Sequence, residues 1–176
     1  MKPPTLLAHQ VASTLHSLAG EYDRSIEEAD RAIALAPEDS GGYFAMAKAL
    51  IYAGRPQEGI ENLYTAMELE PEYPPEYLSW LGVARFFSES FELAALSLER
   101  ASKLLPEDMN THLVLVATYG YLGRLDDAER GLTTLNAIQL KFGSRASAFD
   151  LDSGPLKEGH DRERLREGIR LAGASG

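Results

Sequence analysis

Small and apolar residues recur along this chain in trios at helical spacing: Ser25, Ala29 and Ala32; Gly59, Leu63 and Ala66; Ala94, Leu98 and Ala101; Ala128, Leu132 and Leu135. Offsets of four and three place each trio on one face of a helix. The first three trios are each closed by a proline (Pro37, Pro71, Pro106), spaced 34 and then 35 residues apart. Proline cannot donate the next helical hydrogen bond and biases its predecessor away from the helix, so each ends a segment. Upstream of each trio lies a turn signal: Gly20 before Glu21-Tyr22-Asp23, Gly54 before Arg55-Pro56-Gln57, and Gly123 before Arg124-Leu125-Asp126. The third unit has Glu89 in this place, within Ser88-Glu89-Ser90-Phe91, so its turn must form without glycine.

A period of this length predicts stacked helical hairpins, in which no unit buries its apolar face without its neighbours. The expected fold is all-α: a right-handed superhelix of four hairpins, over about 6–39, 40–74, 75–108 and 109–140, with one further helix. The extra residue in the 35-residue step lies in Glu72-Tyr73-Pro74-Pro75-Glu76, a loop that absorbs it at little entropic expense. Leu140 stands where a fourth proline is expected. Residues 141–157 carry Gly143, Ser144, Ser147, Ser153, Gly154 and Pro155 without a helical stripe and read as a connector. The segment 158–176 reads as an amphipathic capping helix, regular from about Asp161 to Ala172, with Leu165, Ile169 and Ala172 on one stripe and Gly173 as its stop.

The units resemble the tetratricopeptide repeat (TPR) family. The third carries the signature best, as Leu78, Leu81-Gly82, Arg85, Ala94, Leu98, Ala101 and Pro106. The second reads Tyr43, Met46-Ala47, Leu50, Gly59, Leu63, Ala66, Pro71, and the fourth His112, Leu115-Val116, Tyr119, Ala128, Leu132, Leu135. The first (His9, Ala12-Ser13, His16, Ser25, Ala29, Ala32, Pro37) departs most. All four keep the same step of nine residues between the fourth and fifth signature positions. More narrowly, Tyr73-Pro74-Pro75-Glu76-Tyr77-Leu78-Ser79-Trp80-Leu81-Gly82, Tyr119-Gly120-Tyr121-Leu122-Gly123-Arg124-Leu125 and the Arg-rich tail look like the tetratricopeptide region that follows the catalytic domain in some bacterial class III adenylate cyclase-like signalling proteins.

The resemblance implies a concave face formed by the first helix of each hairpin. By register it places Phe44, Lys48, Ile51 and Tyr52 there from the second unit, Ser79, Val83, Phe86 and Phe87 from the third, and Leu113, Ala117 and Tyr121 from the fourth, with Trp80 on the ridge beside Ser79. Several large apolar side chains left in water would be a liability. They either pack between repeats, or receive a peptide or helix from another protein, or are covered by the chain's own Ala148-Phe149-Asp150-Leu151 segment or tail helix. The chaperone-binding branch of the family grips a terminal carboxylate with lysine and asparagine. This chain has Gln10, Thr14, Ala45, Glu76 and Trp80 at those positions, and Lys48 alone does not make that clamp.

Charge and composition narrow the function classes. A net charge of −10 argues against a surface that tracks phosphates, so nucleic acid is not an expected partner. No apolar run reaches the roughly 18 residues of a membrane span, and the N-terminus lacks an export signal's apolar core, so cytoplasmic location is the default. The absence of cysteine excludes thiolate chemistry and disulfides. His9, His16 and His112 occupy packing positions, His160 opens the tail helix, and none has the carboxylate spacing of a zinc site. Gly41-Gly42 lacks the lysine-serine ending of a phosphate loop. The expected function is therefore a non-catalytic interaction scaffold without cofactor or metal, binding a protein or peptide through the groove, with self-association as a further option. The alternative is the regulatory or dimerising C-terminal region of a bacterial nucleotide-cyclase signalling protein.

Overall fold

The computed structural model describes residues 5–142, 155–157 and 159–173, and every regular element among them is a helix. Four hairpins follow one another: α1 (Leu6–Leu18) with α2 (Tyr22–Leu35), α3 (Ser40–Tyr52) with α4 (Pro56–Leu69), α5 (Pro75–Phe87) with α6 (Phe91–Leu104), and α7 (Met109–Tyr121) with α8 (Leu125–Phe142). The last helix is α9 (Gly159–Leu171). Each new hairpin stacks its first helix on the second helix of the one before, α3 on α2, α5 on α4 and α7 on α6.

The hairpin turns share one geometry. Gly20, Gly54 and Gly123 have φ of 75°, 77° and 65°. The following N–H in each case reaches back five residues, Glu21 to the His16 carbonyl (2.8 Å), Arg55 to Leu50 (2.8 Å) and Arg124 to Tyr119 (3.0 Å), which satisfies a carbonyl orphaned at the helix end. The third turn builds the same closure, Ser90 N–H to the Arg85 carbonyl at 2.9 Å, with Glu89 at φ 60°. A side chain in that left-handed region costs about 1–2 kcal/mol. Glu89 is the single described non-glycine residue with positive φ.

The trios do the packing expected of them. Ala29, Ala32, Leu63, Ala66, Ala94, Leu98, Ala101 and Ala128 are fully buried, and Phe86 and Leu98 are among the largest side chains in the core. In the divergent first hairpin a small polar cluster replaces apolar contact. Ser25 Oγ donates to the Ser13 carbonyl (2.7 Å) and lies 2.7 Å from Ser17 Oγ, so these buried hydroxyls are satisfied. In the fourth hairpin Leu132 and Leu135 are only partly buried, because among the described residues no further hairpin closes over α8.

The missing proline has a visible result. The helices α2, α4 and α6 are each 14 residues long and end just before their prolines, whereas α8 runs for 18 and carries Lys141 and Phe142, which the sequence pattern assigned to the connector. Nothing at position 140 breaks the backbone ladder, and Leu140 rides out on it 89% exposed. The tail helix spans Gly159–Leu171, inside the expected 158–176. It does not extend the stack. α9 rests on α7, the first helix of the last hairpin, where the next repeat would rest chiefly on α8.

Candidate functional site

The first helices α1, α3, α5 and α7 carry the residues assigned to the concave face, and the structure divides them into two groups. Ile51, Tyr52, Val83 and Phe87 are buried, as are Ser79, Phe86 and Ala117. Phe44, Lys48, Trp80, Leu113 and Tyr121 are partly buried. Much of this burial comes from rings of neighbouring repeats: Phe44 stacks on Tyr77 (4.4 Å between centroids), Tyr52 meets Trp80 edge-on (5.3 Å), and Phe91 stacks on Tyr121 (4.3 Å). Ser79 and Thr111 share a buried hydrogen bond of 2.7 Å between α5 and α7.

The chain's own C-terminal segments supply the rest of the cover. The backbone N–H of Lys157 donates to the Tyr52 carbonyl at 3.0 Å, and the Tyr22 hydroxyl donates to the Pro155 carbonyl at 2.9 Å. Between these anchors Leu156 enters the core, 2% exposed. Farther along, Leu165 of α9 and Ala172, just beyond its end, are buried against α7. Its backbone approaches α7 so closely that a Cβ on Gly168 would lie 2.7 Å from the Ala117 carbonyl oxygen, and one on Gly120 would lie 2.8 Å from the Ala172 nitrogen. Arg164 fixes the register, donating to the Phe87 carbonyl (3.2 Å) and to Glu89 (2.5 Å), while Tyr121 donates its hydroxyl to the Arg164 carbonyl (3.2 Å). Ala148-Phe149-Asp150-Leu151, the other segment expected as a cover, lies outside the described residues.

The seat of α9 was not readable from the repeat pattern. Its apolar stripe was evident, but the surface receiving it is set by a glycine pair, Gly120 and Gly168, that no periodicity marks. The opposite end of the face was also overlooked. On α1, Leu7, Val11, Leu15 and Leu18 form one stripe and are half to two-thirds exposed. Two of them, Val11 and Leu15, border an open cleft of about 300 Å³ with Gln10 and Thr14 of α1 and Gly41, Phe44, Ala45 and Lys48 of α3. The register that placed Tyr52 on this face places Leu18 there too, but it maps Phe44 and Lys48 onto Gln10 and Thr14, so Leu7, Val11 and Leu15 did not stand out.

Lys48 is the charged group of this cleft. Its Nζ donates to Thr14 Oγ1 at 3.0 Å and lies 4.9 Å from the centre of the Phe44 ring. Burial pushes its pKa below the usual lysine value. Beside Trp80 lies a smaller pocket of about 100 Å³, lined by Glu76, Ser79, Val83, Leu105, Asp108 and Asn110. Asp108 is engaged there as the N-cap of α7, accepting from the Thr111 N–H at 2.8 Å.

The histidines hold structural contacts. His9 pairs with Glu28 and His16 with Glu21, each at 2.5 Å, and both carboxylates are held below their usual pKa chiefly by those hydrogen bonds. His112 lies 3.1 Å from the Pro106 carbonyl, to which its Nε2–H tautomer donates, and burial lowers its pKa. Among the described residues no three His, Asp or Glu side chains are placed to hold a metal ion. No described helix is long and apolar enough to cross a membrane.

No family model matches the chain, and no curated protein matches it. Solved structures do. A thermophilic TPR protein in Thermus thermophilus superposes with a TM-score of 0.64 at 20% identity, over 94% of this chain and 100% of that one. Crystal structures of MamA superpose with TM-scores of 0.61 and 0.63 at 19% and 18% identity, the first over 88% of both chains and the second over 95% of this chain and 89% of the other. The likeness to cyclase-associated regions rests on the sequence segments alone. At these identities the likeness to solved structures establishes the fold, and that fold is the all-α superhelical stack of TPR-type hairpins.

Proposed function

We propose that this protein is a non-catalytic scaffold that receives a peptide or helical segment of a protein partner on its concave face, at the end bounded by α1 and α3. The observation that carries this reading is the stripe of Leu7, Val11, Leu15 and Leu18, exposed along one side of α1, whose central pair Val11 and Leu15 shares an open cleft with Phe44. Apolar side chains in such a row are a liability unless something covers them. Around Tyr52, Phe87 and Tyr121 the face is engaged by the chain's own tail, and Ile51 and Val83 lie buried between these and the open end; this part contributes shape rather than contact area. Trp80 and Leu113 border the middle of the face.

The test is a photo-crosslinking amino acid placed at Leu15, with a second version placed at Leu96, an exposed residue of α6. The proposal expects a discrete protein adduct from position 15 that Phe44→Ala weakens and that position 96 does not give. The same adducts from both positions would mean that the cleft is not the binding surface.

A further inference from the structure

The cleft between α1 and α3 differs from an ordinary apolar groove in one respect. Its lining is apolar except for Gln10, Thr14 and one charged group, Lys48. Gln10 is already engaged, donating to Asp39 at 2.7 Å. An ammonium has three protons to donate, and Lys48 gives one to Thr14, with the Phe44 ring beside it. Among the described residues no carboxylate pairs with it, although most arginines on the helices here have such a partner. A charge drawn out of water without a counter-charge is unfavourable, and a carboxylate placed beside it restores the balance.

The other end of the same face shows what kind of object fits. There α9, a helix of 13 residues, lies on α7 with Leu165, Ile169 and, just past its end, Ala172 turned inward and the Arg164–Glu89 charge pair at its edge. In that half the array supplies the carboxylate and the docked helix the cation. In the open half the polarity is reversed, because the array supplies the cation. The α1 stripe from Leu7 to Leu18 covers about 17 Å of helix axis, about three turns, which is close to the length of α9.

We infer that the α1–α3 cleft takes an amphipathic helix of a partner protein whose apolar stripe carries a carboxylate directed at Lys48 Nζ. The inference rests on the reading of this face as a partner site and specifies the partner's chemistry. The net charge of −10 limits how acidic that helix is. Beyond the Debye length of about 8 Å the chain's field is screened, yet a tract of carboxylates would meet the array's own acidic residues, so one or two carboxylates suit the cleft better than an acidic tail.

The experiment is a display selection of 16-residue helical peptides on the full chain, with counter-selection on Leu15→Asp, followed by fluorescence anisotropy with the enriched peptides. The expected winners carry apolar residues at i, i+4 and i+7 and a shared Glu or Asp. Their affinity falls by at least about tenfold on Lys48→Met, and replacing the shared acid by its amide in the peptide gives no further loss on that variant. Lys48→Met, which keeps most of the side-chain stem, melts at or above the wild-type temperature. Enriched peptides lacking an acid, or binding Lys48→Met equally well, overturn the carboxylate assignment and leave the groove reading standing. A marked drop in melting temperature for Lys48→Met also overturns it, since Lys48 would then be a structural residue. Absence of enrichment over Leu15→Asp removes the groove reading itself.

Discussion

A single methyl group at Gly120 or Gly168 should unseat α9 while leaving the hairpin array intact. On Gly168 the new Cβ would sit 2.7 Å from the Ala117 carbonyl oxygen and 2.8 Å from the Ala117 Cβ, where ordinary contact begins near 3.4 Å. Two helical backbones cannot yield locally as a flexible side chain can, so the helices must separate by the better part of an ångström, at about 1–3 kcal/mol. Against this, α9 is held by burial of Leu165, Ile169 and Ala172, of order 3–5 kcal/mol before entropy. A helix of 13 residues is marginal on its own, so ordering it consumes much of that gain. The remainder is comparable to the strain, and the balance moves toward the undocked state. Within either helix alanine is the better helix former by about 1 kcal/mol, so Gly120→Ala favours α7 itself. Hydrogen exchange read by mass spectrometry should show protection across 159–171 falling at least about tenfold in both variants, with α3 to α6 unchanged. Gly159→Ala, whose Cβ meets nothing within 4 Å, is the control. Wild-type protection of α9 in both Gly120→Ala and Gly168→Ala would refute the close approach.

Three further outcomes follow from the same structure. Glu89→Gly relieves about 1–2 kcal/mol of backbone strain but gives up the half-exposed pair with Arg164, worth up to about 1 kcal/mol; in an Arg164→Ala background the gain should appear undiluted, as a melting temperature raised by roughly 2–4 °C per kcal/mol, and no rise there would contradict the strain. Ala101→Leu forces a branched side chain into a fully buried site on α6 and should lower stability by about 1–3 kcal/mol in urea titration, against little change for a leucine at exposed Lys103. Because burial depresses the pKa of His112 in the fold, its contribution is present above the ordinary value of 6.5 and is lost as pH falls through 6.5 toward the lower folded value; His112→Leu should flatten the melting temperature between about pH 7.5 and 5.5, and an unchanged slope would assign that dependence elsewhere.

The repeat was legible because it is written in residues whose physics is local. Pro37, Pro71 and Pro106 end helices by chemistry that needs no knowledge of neighbours, and Gly20, Gly54 and Gly123 permit a turn that few other residues tolerate. Glu89 was recognisable as the exception for the same reason, and it occupies the left-handed backbone that the other three turns give to glycine. The trios identified the packing faces since a period of three and four is itself the helix. What escaped was contact between distant parts of the chain. Leu165, Ile169 and Ala172 announce an apolar stripe and nothing about α7 as its destination, and Leu156 carries no pattern at all. The absent proline at Leu140 marked where the repeat ends, but how far α8 would run on depended on the lack of any other stop before Phe142.

The bond from Tyr22 to the Pro155 carbonyl joins residues 133 apart, in a molecule whose hairpins are otherwise built between near neighbours in sequence. Closing a loop of that size costs about 1 kcal/mol more than closing one repeat length, and it rewards the chain only once Tyr22 and Tyr52 already stand in place. Assembly therefore has an order: hairpins zip quickly from local contacts, and the tail comes home last, as a slower event that reads whether the array before it has formed correctly.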